Sequence, residues 1–123
     1  MKRMLIVEDD DLSIMVMRRI FRDDFEIFIC DSAEEFYEKY INNSFDIIIM
    51  DVSLKGTKNG LELTKEIKEL SSYAGIPIIC FTAHAQANMR KNAIESGADL
   101  FITKPVSNSI LKEAVATLVG KNS

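Results

Sequence analysis

Four charged side chains stand where this chain could do chemistry: the pair Glu8 and Asp9, the single Asp51, and Lys104. Each follows a short apolar run, residues 4–7 before Glu8, residues 47–50 before Asp51, and residues 100–102 shortly before Lys104. An apolar run of that length, bounded by polar turn residues, reads as a strand buried on both faces, as at the centre of a parallel sheet. Groups at the C-terminal ends of such strands lie on the edge where open α/β sheets gather ligands. If the three carboxylates converge, like charges raise one another's pKa and the cluster cannot stay fully ionised without compensation. Two compensations are natural, a divalent cation and the Lys104 ammonium. An all-oxygen donor set favours Mg2+ or Mn2+ over zinc. The competing reading is a surface acidic patch with an incidental lysine, and periodicity alone leaves both open.

The elements that would position these groups follow from the pattern of the chain. After the first strand, Leu12, Met15, Val16 and Ile20 recur at helical spacing, so residues 11–22 read as helix. Asp10 and Asp11 suit the positive end of that helix, which leaves Glu8 and Asp9 unexplained by helix chemistry. Residues 25–30 form a second strand, and Ser32-Ala33-Glu34-Glu35 has the form of a capping box opening a helix to about Asn42. The third strand, 47–50, is followed by a polar loop to Gly60. Leu63, Ile67 and Leu70 then mark a helix whose other face, Glu62, Lys65, Glu66, Lys68 and Glu69, reads as solvated. Residues 76–81 form a fourth strand with Pro77 near its start, residues 86–96 a helix capped by Gly97, and residues 100–102 a fifth strand. Ser107 can cap a last helix carrying Ile110, Leu111, Ala114, Val115 and Leu118. Five β–α units with right-handed crossovers predict a doubly wound α/β fold, a five-stranded parallel sheet with helices on both faces, for which the flavodoxin-like order 2-1-3-4-5 is expected as a usual one. That order makes strands one and three neighbours and brings Glu8, Asp9 and Asp51 together.

Composition narrows the class. At 123 residues, 47% hydrophobic and 28% charged, the chain is expected to fold as one soluble domain over residues 1–123. The apolar runs are too short to span a bilayer, and residues 1–3 are followed by too few apolar residues for a secretory signal. A net charge of −4 speaks against a nucleic-acid surface. Cys30 and Cys80 lie in apolar runs without a CxxC spacing, so two buried free thiols and a cytoplasmic location are expected. The methionines suit the first helix and the core better than a binding surface.

Taken together, Leu5-Ile6-Val7-Glu8-Asp9-Asp10, the lone Asp51 ending a strand, Phe81-Thr82-Ala83-His84-Ala85 and Lys104-Pro105 resemble the receiver domain of two-component response regulators. Each piece alone is weak; four in order at the right strand ends are specific, and the resemblance spans essentially the whole chain. It implies a phosphoacceptor module, not a metabolic enzyme. Asp51 would take a phosphoryl group from a phosphohistidine on a histidine kinase or histidine phosphotransfer protein, and small acyl phosphates could substitute. Asp9 and Asp51 would bind Mg2+ directly, Glu8 through water, with the backbone carbonyl of Ser53 as a further ligand. Lys104 would pair with the phosphoryl group, and its bond to Pro105 is usually cis in the family. Thr82 and Phe101 would be the switch hydroxyl and switch aromatic, and downstream partners would dock on the face made by the fourth helix, fifth strand and last helix.

Two departures from the family pattern stand out. The step from Asp51 to Gly60 is one residue longer than is common, and Lys55 stands where proline is frequent, which puts the path of that loop in doubt. Phe101 lacks the hydroxyl of the commoner tyrosine. His84 reads as an exposed loop residue, or as a tuner of phosphorylation rate beside Thr82. Other readings carry less. An Asp-nucleophile phosphatase would want an Asp where Ser53 stands and a first-strand nucleophile. A flavin-binding domain would want a phosphate-binding loop where the acidic run 8–11 would repel one. A receiver fold acting without phosphorylation would have no use for the full set Glu8, Asp9, Asp51, Thr82 and Lys104. Met1 and the polar end at Ser123 favour a stand-alone receiver over one excised from a longer regulator or hybrid kinase.

Overall fold

The computed structural model describes residues 1–83 and 85–121. In chain order the elements are β1 (Lys2–Val7), α1 (Asp11–Phe21), β2 (Phe25–Cys30), α2 (Ala33–Glu35) running on as a π-helical turn (Phe36–Tyr40), β3 (Ile47–Asp51), α3 (Gly60–Glu69), β4 (Ile78–Thr82), α4 (Met89–Glu95), β5 (Leu100–Thr103) and α5 (Asn108–Lys121). The strands form one parallel sheet in the order β2-β1-β3-β4-β5, as the sequence predicts.

The unbroken apolar runs are explained by cover on both faces. Leu5, Val7, Ile48, Met50, Ile78 and Cys80 point to one side and pack with Phe36, Leu63, Ile67 and Ala93. Met4, Ile6, Ile47, Ile49, Ile79 and Phe81 point to the other and pack with Met17, Ile20 and Phe21 of α1 and Leu111, Val115 and Val119 of α5. Each fully buried aliphatic side chain contributes roughly 1.5–3 kcal/mol of transfer free energy. Four such residues in a row, Ile47 to Met50, hold β3 against a slip in register, which would turn its side chains to the wrong faces. Its register pairs Val7 with Met50 and Asp51 with Phe81, which fixes the height of Asp51 against its neighbours.

Several local readings differ from the structure. β4 begins at Ile78, two residues late, because the Ile76 N–H is spent in a turn on Tyr73 O, while the Pro77 carbonyl accepts from Ile48 N–H. Ser32 caps α2 through Glu35 N–H as expected, but the Glu35 carboxylate reaches Asp31 N–H instead of closing the box. The complete capping box lies at α3, between Asn59 and Glu62. Lys68 is not on a solvated face. Its ammonium donates to Ile76 O at 2.6 Å and pairs with Asp99 at 3.1 Å, because its stem is pressed under Gly97. α4 starts at Met89, three residues late, after Asn88 adopts φ 66°, and the Asn88 side chain makes no capping bond. Gly97 ends α4 with φ 108°, its N–H and that of Ala98 closing on Ile94 O and Ala93 O. Cys30 and Cys80 are buried free thiols, and Ser107 caps α5 through Ile110 N–H. His84 lies outside the described residues.

Candidate functional site

Glu8, Asp9 and Asp51 each offer a carboxylate oxygen to a group of atoms lying within 4.8 Å of one another. Their placement follows from the sheet: β1 and β3 are adjacent and end level, so the residues after Val7 and Met50 emerge side by side. Lys104, after β5, reaches across the top of β4. Its Nζ stands 3.5 Å from Glu8 Oε1 and 5.0 Å from the centre of the Phe81 ring. The aromatic face holds the ammonium over the pocket as a cation–π contact. The Lys104–Pro105 peptide is cis.

The three carboxylates are not equivalent. Glu8 is only 5% exposed, and its Oε2 accepts the backbone N–H groups of Asp9 and Asp10 at 3.1 and 3.4 Å. Burial is the first cause that pushes its carboxyl up, to about 7, followed by a hydrogen bond with Asp51 and the Asp51 charge; Lys104 pulls the other way. The like charge expected from the sequence is therefore one cause, and the loss of solvent around the buried carboxyl is the larger one. Asp9 Oδ2 accepts from Lys55 N–H at 3.2 Å, and Asp51 Oδ1 accepts from Ser53 N–H at 3.0 Å. Asp10 is the N-cap of α1, accepting from Ser13 N–H, and that bond holds its carboxyl below the usual range. Three carboxylates, one of them buried and reluctant to ionise, form a donor set that a hard divalent cation would satisfy.

The long loop after Asp51 keeps its far end in place. Gly60 N–H donates to Val52 O at 3.1 Å, and a Cβ at position 60 would stand 2.1 Å from the Asp51 carbonyl oxygen. Farther out, the loop turns at Gly56, with φ 104°, and Thr57 donates to Glu34 of α2. Gly60 and the Lys55 amide are site residues that sequence reasoning missed. The only sequence signal for either was a glycine opening a helix.

The remaining predicted residues cluster on the β4–β5 side of the pocket. Thr82 is fully buried, with its hydroxyl 3.5 Å from the Ser53 hydroxyl, and its carbonyl accepts from Lys104 N–H at 2.7 Å. The Phe101 ring is already turned in, at 4% exposure, whereas the sequence left it free to be out or in.

The sequence model described as the response regulator receiver domain matches residues 4–116. The chain belongs to that family. The receiver is 34% identical to the chemotaxis protein CheY of Halobacterium salinarum over 96% of its own length and 97% of that protein's. It is 31% identical to hybrid signal transduction histidine kinase I of Dictyostelium discoideum over 98% of its length, a match to 7% of that protein. Among solved structures it superposes on a CheY-like response regulator receiver domain protein from Methanospirillum hungatei with a TM-score of 0.89 and 28% identity, covering 99% of this chain and 96% of that one. The receiver is thus a phosphoacceptor signalling module of two-component systems and not a classical enzyme, of the kind that interacts with histidine kinases and downstream effectors. No helix among its described residues is long and apolar enough to cross a membrane.

Proposed function

We propose that this chain is a single receiver domain that accepts a phosphoryl group on Asp51 and uses it to change a partner-binding face. The observation that supports this most is the meeting of Glu8, Asp9 and Asp51 within 4.8 Å, with Lys104 at 3.5 Å from Glu8. The donor is a phosphohistidine on a histidine kinase or a histidine phosphotransfer protein. An Asp51 carboxylate oxygen attacks phosphorus, the P–N bond to imidazole breaks, and the imidazole leaves as the neutral base once it takes a proton. A carboxylate is a weak nucleophile, but phosphoryl transfer asks mainly for positioning and charge neutralisation. β3 and Gly60 fix Asp51, Ser53 N–H orients its Oδ1, and Lys104 supplies a positive charge toward the transferred oxygens. Asp9, Asp51 and the Ser53 carbonyl would hold Mg2+, or Mn2+, with Glu8 acting through water; when bound, the cation neutralises charge on the phosphoryl oxygens. The acyl phosphate formed is hydrolysable, so autodephosphorylation times the signal. Thr82 and Phe101 act as the switch. A downstream protein docks on the α4–β5–α5 face, and the module works in the cytoplasm.

The test is intact mass after incubation with acetyl phosphate and Mg2+. Wild type should gain one phosphoryl group, and Asp51→Asn should gain none. Equal uptake by the variant, or undiminished uptake in EDTA, would sink the assignment.

A further inference from the structure

α4 is attached to the sheet in an unusual way. It is preceded by Asn88 in the left-handed region, and Asn88 contributes no side-chain cap. Its first turn therefore begins without the bond that usually secures a helix start. One residue into that turn, Arg90 reaches back to the edge strand β5. Its Nη1 donates to Phe101 O at 3.2 Å, and its guanidinium carbon lies 5.3 Å from the centre of the Phe101 ring. The same side chain thus grips both the backbone and the ring of one residue. Phe101 itself is part of the core cluster with Cys80, Ala93 and Ala98. Lacking a hydroxyl, the ring has no polar group drawing it toward solvent.

We infer that Arg90 is a latch that holds Phe101 inward before any phosphorylation, so that the α4–β5–α5 face rests largely in its ring-in form. This rests on the proposed switch reading only for its consequence; the latch itself is a statement about the unmodified protein. A guanidinium stacked over an aromatic ring and bonded to the carbonyl beneath it favours the arrangement in which both contacts are made, and the outward ring loses the first. Phosphorylation then has a smaller population shift left to produce, because a two-state element already biased toward one form changes little when biased further. A partner that reads the ring-in face would discriminate only modestly between the unmodified and phosphorylated receiver.

The test uses the full chain with 13C-labelled phenylalanine, followed by NMR with and without beryllofluoride, a phosphoryl mimic. Without the mimic, Arg90→Ala should move the Phe101 ring resonances toward an exposed position. It should lower the inward-to-outward ratio roughly two- to five-fold, the equivalent of ~0.5–1 kcal/mol. Arg90→Lys should fall between, since an ammonium lacks the planar fork. Amide shifts should change in residues 86–104 and nowhere near Asp9 or Asp51. If Arg90→Ala disturbs resonances throughout the domain, Arg90→Gln, which keeps most of the stem, repeats the measurement. Phe101 ring resonances identical to wild type in the mimic-free variant overturn the latch. If the ring moves out in the variant and beryllofluoride fails to draw it back, the latch stands and the phosphorylation switch falls.

Discussion

A Cβ on Gly60 would lie 2.1 Å from the carbonyl oxygen of Asp51, closer than non-bonded atoms approach. The start of α3 therefore rests directly on the backbone that carries the candidate nucleophile. Gly60→Ala should cost about 1–3 kcal/mol, since the obstruction is main chain that cannot rotate aside. Because the strain falls on Asp51, phosphoryl uptake from acetyl phosphate should drop as well. Thermal unfolding and intact mass measure the two effects; an alanine variant as stable as wild type would contradict the contact.

The buried carboxyl of Glu8 predicts the pH dependence of the metal-free protein. Its folded value is raised from 4.5 to about 7, so the folded state holds a proton that the unfolded chain gives up. Stability from this source is present below about 4.5 and is lost as pH rises through about 7. The melting temperature in EDTA should fall across that window. Asp51→Asn removes a carboxylate charge that opposes Glu8 ionisation, so the fall should be shallower and the variant more stable than wild type at about pH 8. Added Mg2+ should stabilise wild type more than Asp51→Asn, and more at about pH 8 than at about pH 5.5, because protons compete with it. A metal-free melting temperature that rises steadily with pH would refute the strained pocket.

Thr82→Ala addresses the coupling between site and face. Thr82 is fully buried and its hydroxyl lies 3.5 Å from that of Ser53, on the β4 side of the pocket. The substitution should leave phosphoryl uptake by Asp51 largely intact. The beryllofluoride-induced amide shifts in residues 86–104 should shrink. Full-sized shifts in the variant would remove Thr82 from the switch.

Lys68 offers a contrast at the opposite end of the sheet. Its ammonium ties Ile76 O, at 2.6 Å, to Asp99, whose carboxylate also accepts Ile78 N–H at 2.8 Å. Lys68→Met leaves the carbonyl and the carboxylate without their cation and should cost about 1–3 kcal/mol. Phosphoryl uptake should be unchanged after correction for folded fraction. A large loss of uptake in a folded variant would show that the two ends of the sheet are coupled.

A stability test also applies to the helix that departs most from its predicted form. The Tyr73 hydroxyl, on a side chain 1% exposed, lies 2.8 Å from Tyr40 O and 2.7 Å from Asn43 O, at the end of the π-helical turn. Tyr73→Phe should lower stability by about 0.5–1.5 kcal/mol, because the two half-buried carbonyls lose the one hydroxyl proton they share. Urea unfolding would measure it, and no change would mean that solvent replaces the hydroxyl.

The sequence determined the parallel sheet by its apolar runs and, through its resemblance to receiver domains, the strand order and the convergence of Glu8, Asp9, Asp51 and Lys104. Four-residue apolar runs are covered by helices on both faces of a parallel sheet, but right-handed connections allow more than one doubly wound order, and it was the motifs at the strand ends that pointed to 2-1-3-4-5. The acceptor candidate was legible because a lone carboxylate ends an unbroken apolar strand. Three things were decided only by tertiary structure. That the Glu8 carboxyl resists ionisation depended first on its burial. Lys68 left the solvated face because Gly97, distant in sequence, leaves room for its stem and Asp99 awaits its ammonium. Arg90 found Phe101 because α4 began late and the β5 edge left a carbonyl and a ring within its reach. Periodicity records which side of an element is apolar; it carries no information about which long polar side chain crosses to another element, since that choice is made by contacts between distant parts of the chain.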